Sequence, residues 1–176
     1  MDLLPYFEKI SQKCQYDKGD TVFKQGGYSD SLYYVETGLL KAFYVTPDGK
    51  EFVKSFIKEN NIIGSLTALV SGNTCSFSLV CIEPGVLFQI KYSYLLQLAE
   101  NDIEIANTLI KLVINFAQKK ERREYEFLCL SAEERYQVIK NQTPDLLNRV
   151  TQNDIARYLG ITPVALSRIR NRITSK

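Results

Sequence analysis

Histidine is absent from this chain of 176 residues, and its absence narrows the chemistry that the chain can perform. Histidine is the commonest general acid or base near neutral pH, a frequent zinc ligand and the usual ligand of haem iron. The sequence therefore argues against a haem protein and against an enzyme built on a metal-binding, cupin-like barrel. No pattern of carboxylates or lysines indicates another kind of catalysis, so we expect a protein that is not an enzyme and binds no metal.

Cysteine is scarce, and its spacing is unlike that of a metal site. The four cysteines, Cys14, Cys75, Cys81 and Cys129, are separated by 61, 6 and 48 residues. Structural metal sites use pairs of cysteines that lie only a few residues apart. Isolated cysteines in a cytosolic protein are expected to be free thiols in the core.

Long apolar runs are also missing. A membrane-spanning helix needs about 20 consecutive apolar residues, and the sequence has no such run. Residues 1–5 lack the basic flank and the apolar stretch of a signal peptide. With 45% hydrophobic and 24% charged residues, the composition is that of a globular protein. We therefore expect a cytoplasmic protein that has no membrane partner.

Short β-type runs broken by turn residues fill the first half of the chain, after an amphipathic segment at residues 2–13 that predicts a helix. The runs are residues 21–23, 32–35, 39–45, 51–57, 77–82 and 86–90. Pro47-Asp48-Gly49 separates two of them and predicts a β-hairpin. Many short strands joined by glycine and aspartate turns are typical of an antiparallel sandwich or a small barrel.

Helical patterns replace the strands after residue 90. A short helix is predicted over residues 92–99 and a long one over residues 102–128, with Asp102 as the N-cap of the long helix. Apolar residues recur along the long helix at alternating spacings of three and four, as in a coiled-coil seam. These residues are Ile103, Ala106, Ile110, Val113 and Ala117. A second stripe beside them consists of Leu109, Leu112 and Phe116. Either the helix packs wholly within its own chain or, as we prefer, one of its faces packs on the β-domain and the other contacts a second copy.

Basic residues are concentrated at the C-terminal end. Residues 149–176 contain six basic residues and one acidic residue, a net charge of about +5, whereas the rest of the chain carries about −3. Before this tail, Ser131 and Glu134 form a predicted capping box that opens a helix to about residue 140, and residues 144–150 are predicted to be a short link. A basic tail on an acidic body favours contact with a polyanion.

The basic tail carries the pattern of two short helices joined by a turn. Thr151 is suited to cap the first helix, Gly160 supplies the turn, and Thr162 is suited to cap the second helix. Pro163 then occupies the first helical position, where its missing N–H group costs nothing. The residues predicted to face inward on the second helix are Leu166, Ile169 and Ile173. This pattern predicts a helix-turn-helix, although a helical hairpin with solvated arginines would share it.

The predicted helix-turn-helix supplies a set of candidate DNA contacts. They are Gln152, Thr162, Pro163, Val164, Ser167, Arg168, Arg170 and Arg172. Arg168 is predicted to contact a guanine, because a guanidinium group can donate two hydrogen bonds to O6 and N7. The hydroxyl and amide side chains suit phosphate contacts, and the other two arginines add positive charge. Pro163 and Val164 can touch a thymine methyl group but offer no side-chain hydrogen bond to a base.

Residues 18–26 and 32–38 resemble the cyclic-nucleotide-binding β-roll of the Crp–Fnr family of transcription regulators, and residues 154–170 resemble that family's DNA-binding end. The resemblance implies an α+β fold with an N-terminal antiparallel β-roll of the jelly-roll type, a long dimerisation helix and a small C-terminal helix-turn-helix domain. We place the effector β-roll at residues 1–100, the dimerisation helix at 101–128 and the DNA-binding domain at 129–176.

The resemblance also implies an effector pocket, although its usual chemistry is altered here. The matching residues are Gly64, Ser65, Leu66, Thr67, Cys75, Ser76, Gln118 and Lys119. Ser65 stands where nucleotide-binding members have a ribose-binding glutamate, and Cys75 stands where they have a phosphate-binding arginine. Because the charge-assisted bonds of that arginine are lost, we expect classical cyclic-nucleotide binding to be lost or altered. The chain also has no N-terminal cysteine cluster for an iron–sulfur centre, so we expect no cofactor.

These observations predict a homodimeric, DNA-binding transcription regulator of the Crp–Fnr type. Its expected partners are double-stranded DNA, a second copy of the chain and an unknown small-molecule effector. The alternative is an interaction module that uses the β-roll to bind a protein or small molecule and the basic tail for solubility.

Overall fold

The computed structural model describes the backbone of residues 4–174 and the side chains of residues 7–173. The chain forms two compact units, and the boundary between them lies between Ile103 and Glu104. Each unit has its own buried core. None of the described helices is long and apolar enough to cross a membrane, and the described residues contain no cluster of acidic or cysteine side chains that could hold a metal ion.

The N-terminal unit is a β-roll with three short helices. Its helices are α1 (Leu4–Ile10), α2 (Leu66–Ser71) and α3 (Tyr92–Asn101). Its strands are β1 (Gln12–Tyr16), β2 (Thr21–Phe23), β3 (Ser31–Thr37), β4 (Leu40–Val45), β5 (Glu51–Ile57), β6 (Ile62–Ile63), β7 (Ser78–Cys81) and β8 (Gly85–Lys91). The strands form two four-stranded sheets in the orders β1-β8-β3-β6 and β2-β7-β4-β5, and the described strand pairs are antiparallel.

The core of this unit consists of apolar side chains from both sheets. Val35, Leu79 and Leu87 are completely buried in it. Alternation along the strands places such side chains on one face of each sheet, where burial removes them from water. The antiparallel jelly-roll that the sequence predicts is therefore confirmed.

The predicted hairpin is confirmed as well. Val45 on β4 pairs with Glu51 on β5, directly across the turn that contains Pro47-Asp48-Gly49. The backbone N–H of Thr46 donates to the carbonyl of Lys50 at 3.0 Å. Gly49 has a φ of +80°, a conformation that glycine adopts without steric cost.

The start of the chain differs from the prediction of a helix over residues 2–13. Helix α1 ends at Ile10, residues 2 and 3 lie outside the described part, and β1 begins at Gln12. Most of β1 is polar and exposed because it forms the edge of its sheet. An edge strand of this kind lacks the apolar alternation that identifies a strand, and its pairing with β8 decides its conformation.

The C-terminal unit is helical and begins at the second residue of its first helix. Its helices are α4 (Ile103–Cys129), α5 (Ala132–Gln142), α6 (Leu146–Arg149), α7 (Gln152–Leu159) and α8 (Pro163–Thr174). The long helix α4 lies within one residue of its predicted bounds. The capping box is formed, with the Ser131 backbone N–H donating to Glu134 at 2.7 Å and the Glu134 N–H donating to the Ser131 hydroxyl at 3.3 Å. The predicted link at 144–150 is wrong in part, because it contains the short helix α6.

The cysteines are free, but they are not uniformly buried as predicted. Cys75 and Cys81 lie in the β-roll core, Cys14 is half-buried, and Cys129 is exposed. Cys129 is exposed because it ends α4, a helix with no fully buried side chain among its described residues.

Candidate DNA-binding site and effector pocket

Thr151 is the N-cap of helix α7. The Thr151 hydroxyl accepts a hydrogen bond from the Asp154 N–H at 3.1 Å and donates to the Asp154 carboxylate at 2.8 Å. This arrangement satisfies one of the free N–H groups at the helix start. Ile155, Ala156 and Leu159 on the same helix are buried, and the absence of a long side chain at Ala156 lets another helix approach closely.

The turn between α7 and α8 depends on Gly160. This residue has a φ of +70° and caps α7, and its N–H bonds to the carbonyls of Ala156 and Arg157. A Cβ atom on Gly160 would lie only 2.9 Å from Cζ of Phe127. Both the left-handed backbone and this close contact therefore require glycine.

We expect Gly160→Ala to lower the free energy of unfolding by about 1–2 kcal/mol for the left-handed backbone alone, and further because Phe127 must move. Gly72→Ala is the matched control, since Gly72 also caps a helix with positive φ but has open space around a new Cβ. Urea unfolding followed by circular dichroism would compare the two variants. A loss for Gly160→Ala that is no larger than the loss for Gly72→Ala would contradict the role of the Phe127 contact.

Helix α8 begins in the predicted way and presents one face to solvent. The Thr162 hydroxyl accepts a hydrogen bond from the Ala165 N–H at 3.2 Å, and Pro163 is the first helical residue. Leu166 and Ile169 are buried, whereas Ile173, which was also predicted to face inward, is half-buried. The opposite face of α8 is therefore open to solvent.

The eight candidate DNA contacts are all exposed. The exposed side chains are Gln152, Thr162, Pro163, Val164, Ser167, Arg168, Arg170 and Arg172. Val164, Ser167 and Arg168 lie on the face of α8 opposite its buried residues, together with exposed Asn171. Arg172 forms an ion pair with Glu133 on α5 at 3.2 Å, so part of its charge is already compensated within the chain.

The seam of α4 is exposed within a single chain. Ile103, Ile110 and Val113 are 74%, 57% and 55% exposed, and Ala117 is also exposed, whereas Ala106 is half-buried. The second stripe, which consists of Leu109, Leu112 and Phe116, is half-buried. Large aliphatic side chains at regular spacing on one helix face form an apolar patch of the kind that marks an interaction surface.

The structure brings Ser65 and Cys75 of the predicted effector pocket together. Both residues are buried, Ser65 completely, and the Ser65 hydroxyl accepts a hydrogen bond from the Ser76 N–H at 3.3 Å. Burial raises the pKa of the Cys75 thiol, while its hydrogen bond with Ser65 acts in the opposite direction. Ser65 and Cys75 thus form a hydrogen bond with each other. Neither side chain offers the charge of the glutamate or the arginine that the family resemblance places at these positions.

The remaining pocket residues have different surroundings. A Cβ on Gly64 would lie 2.8 Å from a methyl carbon of Leu32, so a larger residue at position 64 would clash with the Leu32 side chain. Leu66 and Thr67 are exposed on α2, and Ser76 is also exposed. Gln118 and Lys119 are exposed on α4 in the C-terminal unit.

One structural feature of the C-terminal unit has no counterpart among the sequence predictions. Arg123 on α4 and Arg135 on α5 both donate hydrogen bonds to carbonyl groups at the end of α7. The donors belong to residues that are distant in sequence from their acceptors. No periodicity, cap or turn signal at Arg123 or Arg135 indicates such a contact.

Comparisons with known proteins assign this chain to a family. The family model described as "Cyclic nucleotide-binding domain" matches residues 13–102. The fumarate and nitrate reduction regulatory protein of Escherichia coli K12 is 26% identical, over 93% of this chain and 69% of its own length. The electron transport regulator A of Shewanella oneidensis is 25% identical, over 93% of this chain and 69% of its own length. These relatives are regulatory proteins, and they confirm the prediction that the chain is not an enzyme.

Solved structures show the same fold over nearly the whole chain. FixK2 from Bradyrhizobium japonicum has a TM-score of 0.82 and 18% identity, and the match covers 94% of this chain and 85% of FixK2. The global regulator CLP of Xanthomonas campestris, described as responsive to c-di-GMP, has a TM-score of 0.78 and 18% identity, covering 98% of this chain and 90% of CLP.

Proposed function

This chain belongs to the cyclic nucleotide-binding domain family and is a transcription regulator of the Crp–Fnr type, and from that premise we propose that it binds double-stranded DNA as a homodimer through α8. The observation that carries the proposal is the solvent-exposed face of α8. This face begins at the Thr162 cap and carries Val164, Ser167 and Arg168 opposite the buried Leu166.

The geometry of α7 and α8 is suited to docking in a major groove. The groove of B-DNA accommodates one α-helix, and the second helix of a helix-turn-helix contacts base edges through its N-terminal residues. Arg168 would bind guanine, and Val164 would contact a thymine methyl group. Gln152 and Thr162, at the starts of the two helices, would bind phosphates and orient the domain. Arg170 and Arg172 would add positive charge beside the groove.

We propose that two copies of the chain pair through the seam of α4. A helix-turn-helix dimer binds two half-sites about one helical turn of DNA apart, which doubles the contacts available to a single short helix. The exposure of Ile103, Ile110 and Val113 in one chain supports a partner helix packed on them. Residues 1–100 would then act as the effector domain, residues 101–128 as the dimer contact and residues 129–176 as the DNA-binding domain.

We propose that the effector domain has lost classical cyclic-nucleotide binding. Cyclic nucleotides carry a phosphate, and the mutual contact of Ser65 and Cys75 offers neither a cation for that phosphate nor a carboxylate for the ribose. An effector for this domain would be a different small molecule. The cytoplasm, where the chromosome lies, is the expected location.

The proposed function is tested by fluorescence anisotropy of labelled duplex DNA from the region upstream of the protein's own gene. Binding should weaken steeply as salt is raised, because each phosphate that is neutralised releases a counterion. A random-sequence duplex of the same length is the control. Failure to bind either duplex would refute the proposal and favour the interaction module.

The same titration tests the effector prediction. We expect an excess of cyclic AMP to leave the DNA affinity unchanged within about twofold, because a site without a cationic partner gains little binding free energy from a phosphate. Isothermal titration calorimetry of the protein with cyclic AMP should likewise give no heat of binding. An increase of tenfold or more in DNA affinity would show that the nucleotide site is functional despite Ser65 and Cys75.

A further inference from the structure

Arg135 bridges the ends of two helices in the C-terminal unit. Its Nη1 atom donates to the carbonyls of Leu130 at 2.7 Å and of Phe127 at 3.2 Å, where α4 ends. Its Nη2 atom donates to the carbonyl of Leu159 at 3.1 Å, at the end of α7. The last carbonyls of a helix have no partner within it and carry its partial negative charge. A guanidinium group that bonds both helix ends therefore holds them in a fixed relation.

Arg123 makes a second link between the same two helices, from α4. Its Nη2 atom donates to the carbonyl of Tyr158, the residue next to Leu159. Its guanidinium carbon also lies 3.9 Å from the centre of the Tyr158 ring, within the range of a cation–π contact. Because the hydrogen bond and the ring contact constrain the same guanidinium plane, Arg123 restricts both the distance and the rotation of α7 relative to α4.

Phe127 lies between these two arginines. The guanidinium carbons of Arg123 and Arg135 lie 5.3 Å and 4.7 Å from the centre of its ring. On another side, the ring is close to Gly160, in the turn that leads into α8. One atom of each guanidinium group, Nη1 of Arg123 and Nε of Arg135, is buried from solvent. We call the set of Arg123, Phe127 and Arg135 the clasp.

We propose that the clasp positions the helix-turn-helix on the dimerisation helix and thereby determines which half-site spacing the dimer prefers. This inference rests on the proposed function, because it assumes that α4 pairs with its copy and that α8 binds DNA. In such a dimer, the separation of the two recognition helices depends on the angle between α4 and α7 in each protomer. The clasp constrains that angle through hydrogen bonds from a rigid guanidinium fork, which lysine cannot reproduce.

A clasp that only stabilised the domain would have a different effect on binding. Loss of stability lowers the fraction of folded protein and weakens binding to every DNA site by the same factor. Loss of positioning weakens binding to the preferred spacing, while other spacings are affected little or gain. The ratio of affinities for two spacings therefore separates a positioning role from a structural one.

The experiment measures this ratio with two duplexes. One carries the palindrome selected by the wild-type protein from a random pool, and the other carries the same half-sites separated by two additional base pairs. The variants are Arg123→Ala, Arg135→Ala and the double variant. Arg122→Ala is the matched control, because Arg122 is the neighbouring arginine on α4 but pairs with Glu126 and Gln142, on α4 and α5. Light scattering and circular dichroism verify the dimer mass and the fold of each variant.

We expect the double variant to bind the preferred spacing roughly tenfold more weakly, because a helix-turn-helix that is no longer held at one angle to α4 must be ordered when the dimer binds DNA. Its affinity for the lengthened site should change by less than about twofold, and the control should retain the wild-type ratio. Equal losses on both duplexes, or an unchanged ratio, would overturn the proposal. If the alanine variants do not fold, Arg123→Lys and Arg135→Lys decide the question, since they keep the charge and should still lower the ratio several-fold.

The wild-type protein in the same experiment separates this inference from the proposed function. If it selects no palindrome or remains a monomer, the proposed function fails and the clasp proposal fails with it. If it selects a palindrome with a defined spacing and the clasp variants keep that preference, only the clasp proposal fails.

Discussion

Replacing Ile110 and Val113 together by glutamate is expected to abolish the proposed dimer and to weaken binding to a palindromic site by at least tenfold. Both side chains are more than half exposed in a single chain, so the change should leave the fold of the protomer intact. In a parallel helix pair, residues of the seam contact their own copies. Four carboxylates would then be buried together without partners, which costs several kcal/mol.

Light scattering gives the mass of the double variant, and circular dichroism verifies its helix content. The matched control is Lys111→Gln with Asn115→Glu, which changes the net charge by the same amount at exposed positions of α4 outside the seam. This control should remain a dimer and bind DNA. A double seam variant that keeps the dimer mass would place the interface elsewhere on the molecule.

The second large effect is expected from Arg168→Ala. Arg168 lies on the face of α8 opposite Leu166 and Ile169, in the half of the helix that enters the groove of a docked helix-turn-helix. Loss of a bidentate contact to guanine costs about 1–3 kcal/mol, a factor of roughly 5 to 160 in affinity for each half-site. At the same time, the preference for guanine at one position of each half-site should disappear.

The measurement compares wild-type protein and variant on the selected palindrome and on palindromes with each base substituted in turn. Arg170→Ala is the control, because Arg170 is also an exposed arginine of α8 but lies nearer the flank of the exposed face. It should weaken binding to all sequences by a similar factor. If Arg168→Ala behaves in the same way as Arg170→Ala, Arg168 binds a phosphate and does not read a base.

Much of the fold could be predicted from local patterns. The hairpin at Gly49, the capping box at Ser131 and the glycine turn at Gly160 each depend on residues within a few positions of one another. Such signals survive in a single sequence because their physical cause is local. The same holds for α7 and α8, where caps, inward aliphatic residues and the turn all agree.

Features that depend on distant contacts could not be predicted in this way. Strand β1 exists because it pairs with β8, and its own residues are mostly polar and exposed. The bonds of Arg123 and Arg135 with the end of α7 span 35 and 24 residues. Surface arginines are common, so composition alone does not distinguish two that link helices. That Ser65 and Cys75 share a pocket followed from the family resemblance alone, since no local pattern at either residue indicates the contact.

Selection of bound duplexes from a random-sequence pool shows whether two copies of this chain read DNA through two α8 helices. After several rounds of selection with purified protein, the bound sequences are determined and aligned. We expect a palindrome whose half-sites have centres about 10 base pairs apart, with a guanine in each half-site that depends on Arg168. A pool without enrichment, or an enriched single half-site with no repeat, would contradict it.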